Sequence, residues 1–126
     1  MVVKFNVKKD VLLGAVRKAA GSWIRTKEMA LSVKSDGQGN YKVCVQSNGL
    51  YVAGCTFPAA PVGAEGEITV VVSEMFLGAV NALASLDADE FSIEIKEDRV
   101  IVALGTGEVE VPVIKEPKTS FELPGM

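Results

Sequence analysis

Residues 4–20 read KFNVKKDVLLGAVRKAA, and four of them return later in the chain: Leu13-Gly14-Ala15-Val16 recurs as Leu77-Gly78-Ala79-Val80. The first stretch opens on a short alternating strand, residues 3–7, and passes into a helix over Lys8 to Gly21. Val11, Leu12, Ala15, Val16, Ala19 and Ala20 recur there at helical spacing and form one broad apolar face. Asp10 sits in the first turn, where the helix dipole favours an acid, and Gly21 marks the expected C-terminal stop.

Working outward, three strands follow: Met29 to Lys34, Tyr41 to Ser47 and Leu50 to Phe57. The turn segment 36–40 (DGQGN) separates the first two. Asn48-Gly49 separates the second and third, and is the strongest short hairpin signal in the chain. Pro58 to Gly66 is expected to be a loop. The order then repeats: strand Ile68 to Val72, N-cap Ser73, helix Glu74 to Ser85, then strands Phe91 to Lys96, Val100 to Leu104 and Glu108 to Ile114. The repeated LGAV falls at the same point of both helices. We therefore expect one α+β domain over residues 1–126, a duplicated β-α-β-β-β unit with two helices packed on antiparallel sheets. Its two pseudo-repeats span about 1–60 and 66–116, and 117–126 form a linker or tail.

Composition narrows the function. At 126 residues, 48% hydrophobic and 6% aromatic, the chain suits one domain with an aliphatic core. No apolar run reaches the ~20 residues of a membrane span, and the N-terminus lacks a secretory pattern, so the expectation is a soluble cytoplasmic protein with no membrane partner. With no histidine, Ser-His-Asp and Cys-His catalysis and most zinc sites drop out, so neither catalytic residues nor a metal or other cofactor is expected. With Asn48-Gly49 as a two-residue turn, Cys44 faces Ala53 and Cys55 faces Lys42. That leaves the sulfurs diagonal and too far apart for an easy disulfide, and both cysteines read as reduced core residues.

Charge is unevenly spread. Residues 4–27 carry Lys4, Lys8, Lys9, Arg17, Lys18, Arg25 and Lys27 against the single acid Asp10, a local charge of +6. The chain as a whole is −3, which leaves −9 for the remainder. A basic face on an acidic body directs polyanions to one side. Arg25, Lys27, Arg17, Lys18 and Lys9 are the candidates for tracking a phosphate backbone, because phosphates need charge more than fixed geometry. For any one of these cations, a solvated surface is the alternative. Glu65, Glu67, Glu74, Asp87, Asp89 and Glu90 read as solvated acids rather than a Mg²⁺ site. Trp23 reads as a cap on the helix–sheet core rather than a base-stacking platform, and residues 35–40 (SDGQGN) lack the helix and the Lys-Ser/Thr of a phosphate loop.

The opening KFNVKKDVLLGAVRKAA, with the element order and the second strand-to-helix passage near residues 68–85, resembles the first domain of the bacterial DNA sliding clamp, the DNA polymerase III beta subunit. The resemblance covers essentially the whole chain and rests on pattern rather than a sharp motif. It implies a non-catalytic processivity factor in DNA replication. Six such domains form a ring whose helices line the hole around double-stranded DNA, and the ring tethers polymerase. The partners implied are DNA, other clamp domains or further copies of this chain, and the polymerase and clamp loader. It also places Arg25 and Lys27 in a stretch corresponding to a DNA-contacting loop. The family's groove for polymerase and loader peptides lies between its later domains, so no residue here inherits it.

Three features depart from the family pattern. One domain stands where three are usual, and the Pro-containing link after the first helix is replaced by residues 22–33 (SWIRTKEMALSV). The second helix offers Glu74, Gly78, Asn81, Ala82 and Ser85 outward, with no cation. A clamp-fold interaction module without ring function is therefore the alternative.

Overall fold

The structure is a computed structural model that describes residues 2–21, 23, 27–48, 52–63 and 66–117. Alternation shapes the first strand, β1 (Val3–Lys8): Val3, Phe5 and Val7 are buried while the residues between them face away. Helix α1 (Lys9–Ala20) follows directly and buries Leu12, Ala15, Val16 and Ala19. Val11, expected on that apolar face, is 41% exposed, because the buried stripe is narrower than the run of apolar residues. Gly21 also departs from expectation. It stays right-handed at φ −61°, its N–H bonded to the carbonyls of Arg17 and Lys18, so it supplies no left-handed stop.

Strands β2 (Glu28–Ser35), β3 (Tyr41–Asn48) and β4 (Val52–Pro61) form an antiparallel meander. Two expectations are corrected here. The β3–β4 register pairs Asn48 with Val52, so three residues intervene rather than two, and residues 49–51 lie outside the described set. A shift by an odd number reverses the face of every side chain. Cys44 therefore stands opposite Thr56 and Cys55 opposite Val45. The two free thiols point to opposite faces of the sheet instead of lying diagonal on one. In addition, β4 runs through Pro58 to Pro61, where a loop was expected. Prolines are tolerated on a strand that is paired along only one side for most of its length.

The second half repeats the order with β5 (Ile68–Ser73), α2 (Glu74–Leu83), β6 (Glu90–Ile95), β7 (Arg99–Leu104) and β8 (Gly107–Pro112). Ser73 caps α2 as expected, its Oγ accepting from the Met75 N–H at 3.2 Å. Phe76, Ala79, Val80 and Leu83 form the buried side of α2.

Strand order in the eight-stranded antiparallel sheet is β5-β2-β3-β4-β1-β6-β7-β8. Each half thus lends its first strand to the other: β1 pairs with β6 from Val3↔Ile95 to Lys8↔Glu90, and β5 pairs with β2 from Glu28↔Ser73 to Val33↔Ile68. Two seams result. At one, β4 touches β1 through Phe5↔Pro61 and Asn6↔Ala60. At the other, a bridge between Val72 and Val113 and a 2.8 Å bond from the Ile114 N–H to the Val71 carbonyl join the ends of the sheet. Both helices pack on the inner face over one aliphatic core, where Phe5 and Tyr41 meet edge to face at 6.4 Å. Trp23 packs against that core, its indole N–H donating to the Glu28 carbonyl at 2.9 Å.

Candidate nucleic-acid interface

Three contacts set the two helices antiparallel and side by side. Near the start of α1, the Lys9 Nζ donates to the carbonyls of Ala84 (3.3 Å) and Leu86 (3.2 Å) beyond the end of α2. In the second half of α1, Arg17 Nη2 donates to Asn81 Oδ1 at 3.2 Å. Beyond the α1 C-terminus, Lys27 Nζ lies 3.3 Å from a carboxylate oxygen of Glu74, which opens α2. The outer side of this layer presents Asp10, Gly14, Arg17, Lys18 and Gly21 from α1, and Glu74, Gly78, Asn81, Ala82 and Ser85 from α2, all exposed.

The candidate cations thus separate into distinct roles. Arg17, Lys18 and Lys27 stand exposed on the helix layer. Lys9 is half-buried and engaged with carbonyls at the C-terminal end of α2, where the dipole favours a cation, so it acts as a cross-helix cap. Arg25 lies outside the described residues. Lys4 and Lys8, part of the +6 segment, face the other way. They alternate with the buried Val3, Phe5 and Val7, and stand opposite Glu94 and Glu90 of β6. The basic segment is therefore divided between both faces of the domain, because a strand sends neighbouring side chains to opposite sides.

On the helix layer, Arg17, Lys18 and Lys27 share the surface with Asp10 and Glu74. The net positive charge there is much smaller than the linear count implies. The exposed Lys27–Glu74 pair is held weakly, since both side chains are more than half exposed to water and salt. The pairing of Arg17 with Asn81 and of Lys27 with Glu74 was not legible from spacing, because both partners come from the other half of the chain. Among the described acids, Glu67, Glu74, Asp87, Asp89 and Glu90 are exposed, and no three metal-ligating side chains come together among the described residues. No helix of the described residues is long and apolar enough to cross a membrane.

Four charged residues of the sheet carried no signal in the sequence. Lys42 stands directly opposite Lys34 on the outer face, and Glu108 and Glu110 are exposed along β8.

Comparison by sequence finds no matching family model and no matching curated protein. Comparison by structure does find the same fold. The β sliding clamp of C. crescentus superposes with a TM-score of 0.72 at 15% identity, over 97% of this chain and 32% of that one. The DNA polymerase III β subunit of Pseudomonas aeruginosa gives 0.68 at 18% identity, over 98% and 34%, and that of Thermotoga maritima 0.69 at 15%, over 98% and 33%. This chain spans about a third of the length of each. It has the fold of a single domain of the bacterial β sliding clamp.

Proposed function

We propose that this chain is a non-catalytic sliding-clamp-type module. Together with other clamp domains or further copies of itself, it helps encircle duplex DNA in the cytoplasm and tethers a polymerase as a processivity factor. The likeness to one third of a clamp chain, extending over nearly all of this one, is the observation that carries the reading. The helix layer fits the role. Gly14, Gly78 and Ala82 put no long side chain on it, and Arg17, Lys18 and Lys27 can meet phosphates without fixed geometry. Contacts of that kind are sequence-blind and salt-sensitive, as movement along DNA requires. The open backbone edges of β4 and β8, at opposite seams, offer places for neighbouring domains to join.

One observation favours a second reading, a clamp-fold interaction module without ring function. Lys9 is committed to α2, Arg17 and Lys27 are partnered by α2 side chains, and the outer face of α2 carries no cation. Anisotropy of a labelled duplex titrated with the full chain, paired with sedimentation velocity, separates the two. The clamp reading expects a closed oligomer and DNA binding that weakens steeply with salt. A stable monomer indifferent to DNA at low salt overturns it in favour of the second reading.

A further inference from the structure

We infer that residues 118–126 fold back on their own chain and seat Phe121 and Leu123 in an apolar groove at the seam between β5 and β8. Neither ring formation nor DNA binding is required for this.

The groove lies where the two ends of the sheet meet. It has a volume of about 900 Å³, and Val2, Ile68, Val71, Ile114 and Pro117 line it. Pockets of about 300–1,000 Å³ are large enough to bury most of a ligand. Val2 is 53% exposed, and Ile68, Val71 and Ile114 are only partly buried. Four aliphatic side chains thus share one concave surface that the described residues leave open to water.

The chain itself stands at this groove where the described residues end. After β8 it crosses to β5, where Val113 bridges Val72 and the Ile114 N–H donates to the Val71 carbonyl at 2.8 Å. It then bends at Lys115 and Glu116. Pro117, which has no N–H to offer β5, forms part of the groove wall. Residues 118–126 lie outside the described residues, and their sequence, KTSFELPGM, carries Phe121, Leu123 and Met126. Phe121 is four residues beyond Pro117, at most about 14 Å of extended chain. A segment tethered to the wall of a groove meets it at high effective concentration, so weak contacts suffice to hold it there. The tether also favours the chain's own tail over that of a second copy.

The composition of the segment matches the groove. Thr119 and Ser120 are short and polar, and Ser suits the turn that folding back requires. Phe121 and Leu123 are two apart, so an extended segment sends both to one side and Glu122 to the other. Lys118 and Glu122 bracket Phe121, while Asp98 and Lys96, from the connection between β6 and β7, line the groove. Each charge of the segment therefore has an opposite within the groove. Docking removes apolar surface of both parties from water.

Nuclear Overhauser spectroscopy on the full chain tests this, with Phe121→Ser/Leu123→Ser and a chain ending at Pro117 as variants. Wild type is expected to show contacts from the Phe121 ring to methyl groups of Val2, Ile68 or Val71. In both variants the methyl resonances of these groove residues should shift, while those of the core residues Leu12 and Val102 stay in place and show that the fold is kept. In a mixture of isotope-labelled and unlabelled chains, the contacts should arise within one chain. Contacts that arise only between chains assign the groove to a neighbour's tail and overturn folding back. A wild type without contacts from Phe121 to the groove overturns the docking altogether. Either failure leaves the sliding-clamp reading standing, because that reading is tested by DNA binding and oligomeric state.

Discussion

Arg17 donates from Nη2 to Asn81 Oδ1 across the groove between the helices at 3.2 Å, and the two residues hold the same position in the two LGAV-containing helices, each directly after the shared valine. The two halves thus meet at equivalent positions, where one supplies a cation and the other a neutral amide. Because the pair is exposed, it orients Arg17 more than it stabilises the fold. A double-mutant cycle of Arg17→Ala and Asn81→Ala, followed by urea unfolding, should return a coupling under about 1 kcal/mol.

The missing positive charge on α2 can be supplied. Asn81→Lys or Ala82→Lys places a new cation on the exposed outer face. If duplex DNA lies along the helix layer, each should tighten binding and steepen the slope of log K against log salt by about 0.9. Anisotropy titrations over a range of salt read this directly, and an unchanged slope in both variants argues that DNA does not approach α2.

Lys9 should behave as a structural residue. Lys9→Met keeps the aliphatic stem but abandons the carbonyls of Ala84 and Leu86 at the end of α2. A loss of about 1–2 kcal/mol in urea unfolding is expected, from charge-assisted hydrogen bonds at a helix C-terminus. DNA affinity measured on the folded variant should keep its salt slope, in contrast to Lys18→Ala, which should lower that slope without touching stability.

Gly14 and Gly78 sit mid-helix at equivalent positions, and a Cβ added at either meets nothing within 4 Å. Neither position needs a positive φ. Gly14→Ala and Gly78→Ala should each raise stability by about 0.5–1 kcal/mol through helix propensity, measured as an increased urea midpoint. Gly107 is the opposite case. An added Cβ there would come within 2.6 Å of methyl carbons of Leu83 and Leu86, so Gly107→Ala should destabilise by about 1–3 kcal/mol.

Both helices and all eight strands of the described residues could be read from periodicity and turn residues, because most of them bury one side of a repeating pattern, although β2 is buried on both faces from Glu28 to Val33. The signals of Ser73 at the start of α2 and of alternation in β1 carry directly into the structure. Legibility ends where long-range partners decide. A hairpin signal at Asn48-Gly49 does not reveal that the paired strands begin at Asn48 and Val52, and one extra residue moves Cys44 and Cys55 to opposite faces. Counting charges along residues 4–27 does not reveal that Lys4 and Lys8 leave on the far side, that Lys9 ends on α2 carbonyls, or that Glu74 meets Lys27. The alternation of β8 gives the outward direction of Glu108 and Glu110.

The exchange of first strands between the halves has a bearing on how the chain comes into being. Phe5 pairs along most of its strand with β6, where it stands opposite Ile93, so during synthesis β1 waits for β6 to emerge before its pairing is complete. A proteolytic nick between Val62 and Glu67 would yield two pieces, each lacking a strand of its own sheet. Neither should fold in isolation, yet mixed together they should reconstitute one another.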